Sequence, residues 1–239
     1  MPASDGSAAP HAVPISLHWR WADGRNGRPF DARSLTDAEH EAANRFRRAE
    51  DAALWRESRF LMRVVLADRI GVLPLSLRFE SGPHGKPMLQ GAGRERWRFN
   101  LAHSRQLAVL AVSDDPAVDL GIDLEWLHRR VSSDLIRGAT AAEERAFLVN
   151  LPPASRAAWF LRLWTQKESV LKADGAGLSV PPAEVVFDMP HARLRRLPSR
   201  LGSAEAFAVH DVSAPPGHVA TLTVRDRWRR PIAVRSATE

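Results

Sequence analysis

"VDLGIDLE", residues 118–125, alternates without a break: Val118, Leu120, Ile122 and Leu124 are apolar, and Asp119, Gly121, Asp123 and Glu125 are not. Successive strand side chains point to opposite faces, so the stretch predicts a strand with one buried and one acidic side. A similar alternation, "ISLHW" from Ile15, stands 105 positions earlier when Leu17 is set against Ile122. Each strand is followed by Thr-x-x-Glu ahead of an apolar-periodic run, Thr36 with Glu39 and Thr140 with Glu143. That spacing predicts a capping box at a helix start. A longer helical pattern comes next in each half, "DAALWRESRFLMRVVLADRIG" and "RAAWFLRLWTQKESVLKADGAG", both ending near glycine. Strand-rich stretches close the halves: "LSLRFE" and "LAVLAVS", then "EVVFD" and "HVATLTVRD".

The offsets repeat: Thr36 to Thr140 is 104 positions and Leu66 to Leu171 is 105. This predicts an α+β fold made of two pseudo-symmetric subdomains by internal duplication, each a small antiparallel sheet packed with helices. The expected boundaries are a flexible tail over 1–12, a first half over 13–115 and a second over 116–239, with the active site at their interface. The end, "WRRPIAVRSATE", carries no pattern.

Composition narrows the function. The 239 residues hold no cysteine, which excludes disulfides and thiolate metal sites. No apolar run reaches the length of a membrane span, and the N-terminus lacks the form of a secretion signal, so a cytoplasmic protein is expected. Net charge is +6, which suits a polyanionic partner. Nearly all of the basic charge is arginine; only Lys86, Lys167 and Lys172 are lysine. An ammonium is a compact point charge that a guanidinium does not replace, so retained lysines are candidates for specific work.

Asp123 and Glu125 lie two apart, with Cα atoms roughly 6–7 Å apart at a rise of ~3.3 Å per residue, and Gly121 leaves room beside them. Such carboxylates suit a hard cation, and Mg²⁺ favours few carboxylates plus phosphate oxygens. On the second long helix Glu168 and Lys172 share a face, whether as a surface ion pair or as part of a site. Lys167 lies close to the apolar stripe and needs a partner for its charge. "GPHGKPMLQ" puts Lys86 in a turn, and "RFNLAHSRQLAVLAV" puts His103 and Ser104 just before an apolar strand, where the imidazole can donate to a phosphate. P-loop, dinucleotide, zinc and serine-elbow signatures are missing, and nothing resembles a nucleic-acid recognition motif.

"HGKP" (84–87), "FNLAHS" (99–104), "GIDLE" (121–125) and "WTQKESVLKADGAGL" (164–178) together resemble the 4′-phosphopantetheinyl transferases. The length and paired halves resemble the surfactin-synthetase-activating type, and "RF…ED…R…LMR" at 45–63 extends the likeness. The resemblance implies transfer of the phosphopantetheine arm of coenzyme A to a serine of an acidic acyl or peptidyl carrier protein, with Mg²⁺ required and 3′,5′-ADP released. It implies Asp123, Glu125 and Glu168 as metal carboxylates and Lys172 beside the reacting phosphates. Lys86, His103 and Ser104 become coenzyme A contacts, and either Glu125 or Glu168 is the base. Relatives often carry basic residues after the aspartate at the position of Asp51; here Arg48 and Arg56 flank it and are expected to hold the 3′-phosphate. A monomeric pseudo-dimer is expected, with no nucleic-acid or membrane partner.

Overall fold

A computed structural model describes residues 11–25, 27–82, 84–91 and 93–238. Most of the expected tail, 1–12, therefore lies outside the described residues. The chain opens with β1 (Val13–Trp21), α1 (Asp37–Asn44) and α2 (Ala49–Ile70). β2 (Arg78–Ser81) and β3 (Pro87–Gln90) form a hairpin, followed by β4 (Arg98–Ser104), β5 (Leu107–Ser113) and β6 (Val118–Trp126). Then come α3 (Ser133–Ala139), α4 (Ala142–Asn150), α5 (Pro153–Asp174) and a second hairpin, β7 (Val186–Asp188) with β8 (Arg193–Arg196). β9 (Phe207–Val212), β10 (His218–Asp226) and β11 (Ile232–Thr238) end the chain.

Two main sheets result, ordered β11-β1-β5-β4 and β6-β10-β9. Their apolar faces meet: Ile15, Leu17 and Val109 of the first share one core with Leu120, Ile122 and Leu222 of the second. Each outer face carries a 22-residue helix. Leu61, Met62 and Leu66 of α2 pack on Leu110 and Val112, while Leu163, Val170 and Leu171 of α5 pack with Phe187 and Phe207. Both helices end at a left-handed glycine, Gly71 (φ 78°) and Gly175 (φ 82°), as their sequences predict. Among the described residues no helix is long and apolar enough to cross a membrane.

Two expectations need correcting and one gains detail. The first capping box forms as read, with Thr36 and Glu39 bonded reciprocally. The second is displaced by one residue: α4 starts after Ala141, whose N–H donates to Glu144, not Glu143, while Thr140 donates to Ile136 O. The acidic side of β6 is only partly open to water: Asp119 is exposed, but α5 lies across the rest and leaves Asp123 7% and Glu125 8% exposed. Finally, the patternless C-terminus is a strand of the first sheet. β11 runs parallel to β1 with Ile15 opposite Val234, so residues 232–238 do not belong with the second half's sheet.

Candidate active site

The site is organised by the outer edge of β6. Among the described residues that strand pairs only with β10 in its sheet, so its other edge presents backbone groups that need partners. Side chains supply them. Ile122 N–H donates to Asn100 Oδ1 (2.7 Å) and Trp126 N–H to Ser104 Oγ (3.0 Å), both from β4. Lys86 Nζ donates to Leu120 O (2.9 Å), and Lys172 Nζ to Ile122 O (3.2 Å). All four sequence motifs thus meet along one strand edge. Gly121 permits this: a Cβ there would stand 1.9 Å from Ser169 O and 2.4 Å from Ala173 N, so β6 and the backbone of α5 touch.

Three carboxylates gather where the two elements touch. Asp123 Oδ1 accepts from Lys172 Nζ (2.5 Å), and its buried Oδ2 has no partner among the described residues. Glu125 accepts from Arg129 and from Ser104 Oγ (3.2 Å). Glu168 is half-buried, and its buried Oε1 likewise has no partner among the described residues. Burial raises the pKa of all three; the charge of Asp123 raises Glu125 and Glu168 further, and Lys172 pulls Asp123 back. Among the described residues no group of three carboxylates or histidines is arranged to ligate one metal ion. Lys172 is bonded to Asp123 and Arg129 to Glu125. The donor set nevertheless fits a hard divalent cation: all donors are oxygens, two are unsatisfied, and their mutual repulsion is what such a cation relieves.

A cavity of about 280 Å³ lies beside this cluster, lined by Arg48, Asp51 and Trp55 on one wall and His103, Ser104 and Arg105 on another. His103 is accessible in a concave wall, and partial burial, then Lys172 and Arg59, push its pKa down. Arg48 is ion-paired with Glu50. Arg56 is not on this wall; it donates to Asn44 Oδ1 (2.6 Å). Ser104 reaches the cavity, but its hydroxyl is spent holding β6 and Glu125. A larger cavity of about 580 Å³ against β1 and β11 contains none of the candidate residues, so the smaller one, which adjoins the charged cluster, is the candidate binding site.

Lys86 lies apart from the residues that line this cavity. Its ammonium donates to Leu120 O and to Lys172 O (2.7 Å), and burial lowers its pKa to about 8. Lys167 points away from Glu168 and is fully buried against Glu144 (2.6 Å), Pro182 O (3.0 Å) and Val185 O (2.7 Å). It holds α4 and the segment after α5 in place and takes no part in the site.

The sequence reading missed Asn100, Arg105 and Arg129. Asn100 stood inside a quoted motif without a role. Arg129 lies beyond the turn that follows β6, so its i+4 spacing from Glu125, a signal only on a helix, does not announce their pairing. Arg105 sits at φ 61° in the β4–β5 turn with its guanidinium 4.5 Å from the Trp126 ring centroid, a placement no sequence pattern announces.

Unpaired carboxylates beside a lysine, next to a cavity walled by arginine and histidine, have the make-up of a site for a phosphate-bearing ligand. Comparison with known proteins narrows that class. Residues 119–223 match the 4′-phosphopantetheinyl transferase superfamily, and residues 20–115 match a 4′-phosphopantetheinyl transferase N-terminal family. The 4′-phosphopantetheinyl transferase HetI of Nostoc sp. is 32% identical over 197 residues, 81% of this chain and 79% of that protein. The chain belongs to the 4′-phosphopantetheinyl transferase superfamily, an enzyme family. The Synechocystis sp. protein slr0495 is 32% identical over 69% of this chain, and the Bacillus subtilis transferase Sfp is 26% identical over 62%. Those two matches span 66% and 63% of the relatives' own lengths, just under two thirds.

Proposed function

We propose that the chain transfers the 4′-phosphopantetheine arm of coenzyme A to a serine of an acidic acyl or peptidyl carrier protein, with Mg²⁺ required and 3′,5′-ADP leaving. The observation that carries this reading is the trio Asp123, Glu125 and Glu168, the first two buried and the third half-buried, with two buried oxygens unpaired among the described residues, set against Lys172 and the arginine-histidine cavity. Asp123, Glu125 and Glu168 would hold the Mg²⁺, which when bound neutralises charge on pyrophosphate oxygens. In the transfer the serine Oγ–phosphorus bond forms and the phosphorus–oxygen bond to 3′,5′-ADP breaks. Glu168 is the better candidate for the serine proton: its Oε1 is unpaired and its pKa is raised, whereas Glu125 is held by Arg129 and Ser104. Lys172 places its ammonium where charge develops on the reacting phosphates. Arg48, His103 and Arg105 receive the remaining phosphate charge of coenzyme A in the cavity between them. The net charge of +6 favours an acidic carrier. A monomer working in the cytoplasm, in the manner of the surfactin-synthetase-activating type, is the corresponding setting.

The site at the junction of the halves follows from their being two copies of one unit. A shared device supports the duplication. In the first half Arg63 donates to Glu39 (2.7 Å), Pro74 O (2.7 Å) and Leu77 O (3.2 Å). In the second, Lys167 makes the same three contacts with Glu144, Pro182 O and Val185 O, at offsets of 104 (residue 63 to 167), 105 (39 to 144) and 108 (74 to 182 and 77 to 185). The test is mass spectrometry of several apo-carrier proteins incubated with coenzyme A, Mg²⁺ and this protein. Gain of one phosphopantetheine arm on a carrier serine is expected; no gain on any fatty-acid, polyketide or peptide carrier, with the protein folded, overturns the reading.

A further inference from the structure

We propose that Lys86 is a positioning residue that locks the last turn of α5 against β6, and so sets the spacing of Asp123, Glu168 and Lys172, without itself gripping a phosphate. The argument starts from two carbonyls. Lys172 O lies in the last turn of α5, where carbonyls have no partner within the helix. Leu120 O lies on the outer edge of β6, where the sheet provides no strand. Both point into the gap beside Gly121, where the strand and helix backbones touch, and one ammonium bridges them at 2.9 and 2.7 Å. A cation is favoured at a helix C-terminus, and three divergent N–H groups suit acceptors on two different elements. A planar guanidinium does not.

The turn that carries Lys86 is wedged at the same place. A Cβ on Gly177, just past the end of α5, would fall 2.6 Å from His84 Cβ. Asp119 and Asp174 lie close enough to stabilise the ammonium electrostatically, although burial is the larger influence. Lys86 does not line the cavity that holds Arg48 and His103. The neighbouring side chains are the ones that matter for chemistry. Lys172, whose carbonyl Lys86 holds, reaches Asp123, and Glu168 lies one turn earlier on the same helix.

The test separates a strut from a phosphate contact by reading the free protein first. Amide hydrogen exchange on Lys86→Met without substrate should show residues 118–126 and 168–175 exchanging about tenfold or more faster, with β5 unchanged. A phosphate contact predicts no change there. Steady-state kinetics should then show kcat lower by about tenfold or more, with KM for coenzyme A within about threefold. Lys86→Arg is the second variant, needed if the methionine chain does not fold. A strut predicts the same exchange and kcat losses; a phosphate contact predicts near-normal KM and kcat. Unchanged exchange in either variant, or a KM rise with kcat intact, overturns the proposal. The kinetic arm rests on the transfer reaction proposed above and the exchange arm does not, so failure of one is distinguishable from failure of the other.

Discussion

Glu168 carries its carboxylate into a space shared with Asp123 and Glu125, and among the described residues nothing donates to its Oε1. Burial and these two neighbours raise its pKa, so the folded chain holds a proton on it more tightly than the unfolded chain does. Below the unfolded value the group is neutral in both states and costs nothing. As pH rises through the folded value, the ionised group destabilises the fold. Glu168→Gln should therefore raise metal-free stability at neutral pH, by on the order of 1 kcal/mol, and the gain should vanish below about pH 4. Turnover should fall below detection. Mg²⁺ should stabilise the wild type and leave the variant unmoved, since only a ligand that binds the native state shifts unfolding. Urea titrations at pH 7 with EDTA or Mg²⁺ check this, and a variant less stable in EDTA would contradict the electrostatic account. The rare lysines were informative at this scale, since all three are engaged: Lys86 with two carbonyls, Lys167 with Glu144, Lys172 with Asp123. Their roles were less legible. Composition marks that an ammonium is wanted but not which way the helix turns it, so Lys167, adjacent in sequence to Glu168, faces the opposite side.

The contact between β6 and α5 is the element on which the site depends. It is made backbone to backbone at Gly121, and a methyl group there would overlap Ser169 O and Ala173 N, neither of which can rotate away. Overpacking against backbone costs about 1–3 kcal/mol and occasionally more, so Gly121→Ala should lose on the order of 3 kcal/mol. The helix must shift, and Lys172 with it, so kcat should drop roughly a hundredfold or more, the scale of misplacing a reacting group by about 1 Å. Chemical denaturation and initial rates measure both; a variant of normal midpoint and rate would mean the gap at Gly121 is not a constraint. Most of this element was readable beforehand. Strict alternation gave β6, the two long periodic runs gave α2 and α5, and each terminal glycine adopts the conformation expected of it. What the local pattern misplaced was decided by distant partners. "TAAEE" reads as a box of Thr140 with Glu143, because alanine has no side-chain oxygen to cap with; the structure instead starts α4 after Ala141, with Glu144 accepting its N–H. The buried pair of Glu144 with Lys167, 23 residues on, settles it the other way.

Across the whole molecule, the two sheets share one core and the chain crosses between them twice. It leaves the first sheet after β5 and returns as β11, which lies parallel to β1. The return is clamped at the crossing by Arg230, which binds Asp115 (2.5 Å) between β5 and β6 and Asp226 (2.8 Å) at the end of β10. Trp19 Nε1 donates to Ser236 Oγ (2.8 Å), tying the new strand to the first. None of this was legible in "WRRPIAVRSATE". An edge strand with mostly exposed side chains has no apolar face to alternate, and its partner is more than 200 residues away, so no window of sequence contains the pattern. The energy of β11 is therefore mainly that of its ladder with β1, and only Ile232 adds to the core. Net hydrogen-bond contributions of about 0.5–1.5 kcal/mol each, offset by ordering the strand, predict a loss on the order of 3 kcal/mol for a chain ending at Arg230. The loss should concentrate in the first sheet. Amides of β1 should exchange quickly while those of β10 keep their protection, and the newly exposed edge of β1 should make the shortened chain prone to association. Urea unfolding with residue-resolved exchange tests this. If the shortened chain unfolds at the same urea concentration and with the same slope, β11 is a surface addition and the first sheet is complete without it.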